Sequence, residues 1–158
     1  MKKYKAAIIG CGDVAGMYGD RANHSVPTHA SAYNLCGQTT ITGVMDTNQE
    51  QLNRFCDKWN IKNGYTDLVS MMDEQLPEII SICSPTEYHY NHFKILDEYP
   101  ISAIFAEKPL SYDLLESKEI VKLTNHIPVA INYFRRWNKD LERLKIDLNN
   151  GLYGEVKQ

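Results

Sequence analysis

The stretch Ala6-Ala7-Ile8-Ile9-Gly10-Cys11-Gly12-Asp13-Val14-Ala15 decides the fold. Its four apolar residues predict a strand. The six that follow fit G-x-G-x-x-G/A, the fingerprint of a dinucleotide-binding turn. Gly10 permits the tight bend, Gly12 lets backbone approach a diphosphate, and Ala15 lets the next helix pack close to the strand. The start of that helix is expected to offer free N–H groups and a positive dipole end to phosphates. Asp13 and Val14 complete the candidate cofactor-binding loop. A glycine turn without a ligand is the simpler alternative.

Working outward, four more apolar runs follow: Ile41–Met45, Glu78–Cys83, Ile101–Ala106 and Val129–Asn132. They are near-continuously apolar, as parallel strands buried on both faces should be. Helical patterns lie between them. Thr47-x-x-Glu50 reads as a capping box, followed by Leu52, Phe55, Cys56 and Trp59 at helical spacing. Asp67–Glu74 is expected to turn Leu68, Val69 and Met72 inward, and Glu87–Asp97 to bury Phe93 and Leu96. Ser111 is read as the cap of a helix ending near Thr124, with Leu114 and Val121 on its inner stripe. A last helix, Lys139–Asn149, is expected to bury Leu141, Leu144 and Leu148, with Gly151 just past its end. The alternation predicts an α/β fold: a doubly wound, mostly parallel Rossmann sheet with helices on both faces. Gly16–Thr28 has no apolar periodicity and reads as an inserted loop over the ligand edge.

Ligands of such sheets bind beyond the carboxyl ends of the strands. The second strand ends at Asp46, where an acid reads the adenosine ribose. It comes later than the usual distance of about 20 residues, and the inserted loop accounts for the excess. A carboxylate there repels a 2′-phosphate, and no Lys or Arg follows before Arg54. NAD is therefore expected over NADP.

Composition narrows the partners. The 158 residues are 43% hydrophobic and 23% charged, which excludes a disordered or collagen-like chain. A net charge of −3 without a basic run beyond Lys2-Lys3 argues against nucleic acid and acidic membranes. No apolar run approaches the roughly 18 residues of a membrane span, and no secretory leader is evident. Cys11, Cys36, Cys56 and Cys83 form no C-x-x-C pair and read as buried free thiols of a cytoplasmic protein. His89 and His92 share a helix face but lack a third ligand, so no metal site is expected.

Three further strand ends are specific in combination: Ser84-Pro85-Thr86-Glu87-Tyr88-His89, Glu107-Lys108-Pro109, and Asn132-Tyr133-Phe134-Arg135. With Gly10–Ala15 and His29-Ala30-Ser31-Ala32, they resemble the N-terminal domain of the Gfo/Idh/MocA (glucose–fructose oxidoreductase, inositol dehydrogenase) family. The resemblance implies that Ser84, Pro85 and Thr86 lie along the cofactor, with His89 starting the next helix at the same edge. It implies that Glu107 and Lys108 sit beside the nicotinamide, with Lys108 catalytic, and that Asn132 and Arg135 flank the nicotinamide end. A cis Lys108–Pro109 bond is a candidate. The implied reaction is hydride transfer between nicotinamide and a secondary alcohol of a sugar, cyclitol or nucleotide-sugar.

Complete members carry a second domain that binds substrate, usually forms a dimer interface, and holds an Asp-x-x-x-His motif. No Asp-x-x-x-His spacing occurs after the fifth strand, where that domain would follow. Residues 1–150 are thus expected to be the dinucleotide-binding domain, and 151–158 a link into an absent substrate domain. The piece alone is expected to bind cofactor without turning over substrate, and the whole protein to be a homo-oligomer. A stand-alone nucleotide-binding or redox-sensing module is the competing expectation.

Overall fold

Residue order along the sheet is set by where each apolar run finds a partner. The computed structural model describes residues 3–18 and 28–155. Among the described residues, β1 (Tyr4–Ile9), β2 (Thr39–Met45), β3 (Gly64–Tyr65), β4 (Ile79–Ile82), β5 (Ala103–Ala106) and β6 (Val129–Ile131) form one sheet. Its order is β3-β2-β1-β4-β5-β6, and every neighbouring pair is parallel. The winding reverses between β1 and β4, which makes that boundary the switch point where such sheets take ligands. β3 escapes sequence reading because two residues carry no period.

Among the described residues, five α-helices connect the strands, α1 (His29–Leu35), α2 (Gln49–Trp59), α3 (Leu68–Gln75), α4 (His89–Leu96) and α5 (Leu114–Leu123), and α6 (Lys139–Asn149) follows β6. Side chains alternate across each strand, so the sheet has two apolar faces. Ala7, Ile9, Ile80, Ile82, Ile104 and Ala106 join Met71, Phe93, Leu96 and Ile120 in one core. Ile8 and Val44 join Ala30, Leu52 and Phe55 in the other.

Helix ends and faces depart from expectation in several places. Asn48, not Thr47, caps α2, and its side chain accepts the N–H groups of Glu50 and Gln51. Asp67 caps α3 through Ser70 N, so the helix starts at Leu68 and its i, i+3, i+4 face is Leu68, Met71 and Met72. Val69 consequently points outward. Asp113, not Ser111, caps α5, and its one buried side chain is Ile120; Leu114 and Val121 stand exposed on the neighbouring stripe. A turn Thr86–Tyr88 precedes α4, which still buries Phe93 and Leu96. Leu141 and Leu144 of α6 are exposed, because among the described residues no layer covers that helix.

Thr28 belongs to a helix rather than to the expected loop: its hydroxyl accepts Ser31 N and caps α1. Residues 19–27 of that loop lie outside the described residues, as do 156–158 of the expected link. Residues 151–153 form a turn, with Gly151 at φ +73°. All four cysteines are free, but Cys36 is exposed at the end of α1 rather than buried. Among the described residues no helix is long and apolar enough to cross a membrane.

Candidate functional site

The backbone ladder draws the strand ends into one line. Ile9 is level with Met45 and Ile82, Ile82 with Ala106, and Ala106 with Ile131. The next residue of each strand donates one further bond. Gly10 N reaches Met45 O at 2.7 Å, Glu107 N reaches Ile82 O at 2.8 Å, and Asn132 N reaches Ala106 O at 2.8 Å. Asp46 N reaches Tyr65 O at 3.0 Å. Gly10, Asp46, Glu107 and Asn132 are thereby fixed along the carboxyl edge of the sheet.

The two fingerprint glycines are bare for different reasons. Gly10 has φ +87°, and a Cβ there would lie 2.6 Å from Ser84 N, so the loop after β4 leaves no room for a side chain. Gly12 has φ −78°, and its Cβ would meet nothing nearer than Gln51 Nε2 at 3.9 Å. The chain itself does not require Gly12 to be bare, and the space over it is open. Ala15 is fully buried against the α1–α2 core.

No regular helix follows the fingerprint. Asp13–Met17 is a single wide turn, broken inside by Gly16, whose φ of 179° is not helical. Gly16 backs onto Phe55 and Trp59, and Trp59 Nε1 donates to its carbonyl at 3.1 Å. The amide N–H groups of Gly12, Asp13 and Val14 nevertheless donate to no acceptor among the described residues. Asp13 and Val14 are exposed at the turn.

Asp46 is tied to this loop. Its Oδ2 accepts Cys11 N at 2.8 Å and Gln51 Nε2 at 3.0 Å, and its Oδ1 accepts Asn48 N at 2.9 Å. A cleft of about 350 Å³ opens beside it, lined by Gly10, Asp46, Gln51, Ser84, Pro85 and His92 among others. The cleft sits over the β1–β4 boundary. Sequence reasoning missed Gln51, which only the α2 cap brings back toward Asp46.

Ser84 Oγ lies 3.0 Å from His92 Nδ1. Burial first, and then the neighbouring His89, push the His92 imidazole down to about 4. His89 is fully buried, with Nε2 3.0 Å from Ser84 O and Nδ1 3.2 Å from Leu110 O. Its ring therefore braces the loops after β4 and β5 instead of facing the cleft. Thr86 is half-buried at the start of its turn.

Glu107 centres a second cluster. Its Oε1 accepts Asn132 Nδ2 at 2.6 Å and faces His29 Nε2 at 3.1 Å. His29 Nδ1 lies 2.8 Å from Ser81 Oγ, which in turn lies 2.9 Å from Tyr33 OH. Burial raises the Glu107 carboxyl, but the hydrogen bonds from His29 and Asn132 outweigh it and hold the group below the ordinary carboxylate range. Burial also pushes the Tyr33 hydroxyl up to about 12. Lys108 is exposed, and its amide lies 3.4 Å from Glu107 Oε2. The Lys108–Pro109 bond is cis. Arg135 is exposed on the turn Phe134–Trp137, its guanidinium 5.9 Å from the Phe134 ring, and does not line the cleft.

The model of the oxidoreductase family with an NAD-binding Rossmann fold, Gfo/Idh/MocA, matches residues 4–132. The chain belongs to this family. It is 25% identical to the D-glucoside 3-dehydrogenase of Escherichia coli over 154 residues, 96% of this chain and 41% of that one. It is 22% identical to the myo-inositol 2-dehydrogenase of Thermotoga maritima over 129 residues, 80% of this chain and 38% of that one. The Lactobacillus casei scyllo-inositol dehydrogenase structure with bound NAD(H) and scyllo-inositol matches with TM-score 0.82 at 15% identity, covering 98% of this chain and 43% of that one. The chain thus spans about two fifths of the length of the curated relatives it matches.

As a Gfo/Idh/MocA chain it carries the NAD-binding Rossmann fold of that oxidoreductase family. The Gfo/Idh/MocA match ends at Asn132, so it takes in all six strand ends. Ser81 is the signal that sequence reading passed over: one hydroxyl inside Ile79-Ile80-Ser81-Ile82 must find a partner when buried. Among the described residues no three His, Cys, Asp or Glu side chains gather into a metal centre.

Proposed function

We propose that this chain binds NAD in extended form along the carboxyl edge, its adenosine half over Asp46 and its nicotinamide half toward Glu107, Lys108 and Asn132. The observation that carries this reading is the line of strand ends with open space over Gly12 at the β1–β4 boundary. The free N–H groups of Gly12, Asp13 and Val14 suit a diphosphate. A carboxylate has about four lone-pair sites, and protein donors take three of Asp46's, leaving acceptor capacity for a ribose hydroxyl. Its negative charge disfavours a 2′-phosphate, hence NAD over NADP. Ser84, Pro85 and Thr86 border the cofactor. His89 supports it from behind by bracing the loops. Arg135 reaches it only if the turn Phe134–Trp137 moves.

The whole protein is proposed to be a cytoplasmic dehydrogenase that oxidises a secondary alcohol of a sugar, cyclitol or nucleotide-sugar. The chemistry the cofactor supplies when bound is hydride exchange at its nicotinamide ring. Lys108 Nζ binds the substrate hydroxyl and stabilises negative charge on its oxygen. Glu107 holds the Lys108 backbone beside the ring site. This chain alone is proposed to bind the cofactor without turnover. A redox-sensing module is disfavoured by Cys11 and Cys83, whose thiols burial holds well above their ordinary range and so protonated.

Calorimetric titration with NAD⁺ and NADP⁺ tests the reading. Saturable binding with NAD⁺ preferred is expected. No binding of either at millimolar concentration overturns it.

A further inference from the structure

Beneath the carboxyl edge runs a hydrogen-bonded chain that crosses four elements: Tyr33 of α1, Ser81 of β4, His29 of α1, Glu107 after β5 and Asn132 after β6. His29 and Ser81 are 5% and 0% exposed. An ionised carboxylate only accepts, so His29 Nε2–H donates to Glu107. The His29 ring is held on its face by Phe105, with centroids 4.7 Å apart. Each ring nitrogen and one ring face therefore has a fixed partner. A carboxylate drawn into the interior with its donors is weak evidence of stabilisation, so stability alone does not account for the set. Both strong donors, His29 and Asn132, converge on Oε1 of Glu107. Among the described residues, Oε2 keeps only the 3.4 Å contact to the Lys108 amide.

We propose that His29 is a positioning residue for the nicotinamide half of the site. Tyr33 and Ser81 orient its ring, His29 and Asn132 lock Oε1 of Glu107, and Oε2 is thereby presented to the edge beside Lys108. This rests on the dinucleotide reading above. A dinucleotide spans the switch point with its two halves on opposite sides, and Asp46 and Glu107 lie on opposite sides of it. His29 thus acts on the nicotinamide half and leaves the adenosine half alone.

The test compares NAD⁺ with ADP-ribose, which lacks the nicotinamide, by calorimetry on this chain and its variants, with thermal melts to confirm folding. His29→Leu is expected to weaken NAD⁺ about tenfold, the scale of one lost charge-assisted hydrogen bond, and ADP-ribose less than about twofold. His29→Gln, which keeps an N–H donor, is expected to restore most of the NAD⁺ affinity. Ser81→Ala deletes a single buried hydroxyl, is expected to weaken NAD⁺ selectively by about threefold, and carries the comparison if His29→Leu does not fold. Folded variants that lose both ligands equally, or neither, overturn the inference. So does a parent chain that binds NAD⁺ and ADP-ribose alike. A parent chain that binds neither overturns the dinucleotide reading itself.

Discussion

Asp46 Oδ2 accepts the amide N–H of Cys11 at 2.8 Å, so the end of β2 holds the fingerprint loop in place. One carboxylate thereby does two tasks: it shapes the loop, and it presents negative charge where a ribose would lie. Asp46→Ser is expected to shift the NAD⁺/NADP⁺ affinity ratio toward NADP⁺ by about tenfold or more, since like-charge repulsion is removed. It is also expected to lower stability by ~1–3 kcal/mol, because the amides of Cys11 and Asn48 lose their acceptor. Calorimetry with both cofactors and a thermal melt measure the two effects. An unchanged ratio would assign Asp46 to structure alone.

The glycines separate folding from binding. Gly10→Ala forces a Cβ to within 2.6 Å of Ser84 N at φ +87°, and is expected to cost ~2 kcal/mol or more. Gly12→Ala meets no such obstacle and is expected to change stability by less than ~1 kcal/mol. Denaturant titration of the two variants checks this contrast.

Acid stability follows from two side chains. His92 stays neutral in the fold down to about 4, whereas the unfolded chain takes up its proton near the ordinary value of 6.5. The unfolded state binds more protons between those values, so stability falls as pH drops through that window. Glu107 adds to the same trend from its own side: its pKa is lowered in the fold, so its contribution is complete above the ordinary carboxylate range and lost as pH falls through the lowered value. The Tm is expected to fall steadily from pH 7 to pH 4, and less steeply in His92→Gln. Equal slopes in both proteins would remove His92 from the account.

Lys108 is exposed and forms no ion pair among the described residues. Lys108→Ala is therefore expected to change the stability of this chain by less than ~0.5 kcal/mol and its NAD⁺ affinity only slightly. In the dehydrogenase proposed for the whole protein, the same change is expected to lower kcat by about 100-fold or more, the scale of a lost polar catalytic group. Near-normal turnover there would exclude the catalytic role.

Much of the fold was legible because parallel strands leave an unmistakable pattern. Ala6–Ile9 is apolar on both faces because helices cover both faces, and Ile79–Ile82 follows the same pattern except at the buried Ser81. The strand-end residues Gly10, Asp46, Glu107 and Asn132 followed from that pattern, since the ladder carries them to one edge. Helix faces were harder. The inner stripe of α3 runs through Leu68, Met71 and Met72 and leaves Val69 outside; Val69 and Met71 both flank the Leu68–Met72 line, so periodicity alone does not choose between them. The pairing of His29 with Glu107 spans 78 residues and depends on the packing of α1 over β5. Nothing local in either segment announces it. The wide turn at Asp13–Met17 was also illegible, because Gly16 is turned by contact with Phe55 and Trp59 of α2.

The most direct test of the dinucleotide site is the NAD⁺ affinity of Gly12→Val measured beside its thermal stability. The open space over Gly12 predicts a variant that melts within a few degrees of the parent chain. It also predicts that NAD⁺ binding is lost, because the valine side chain occupies the approach of the diphosphate. A folded Gly12→Val chain that binds NAD⁺ as tightly as the parent would contradict a cofactor seated on this loop.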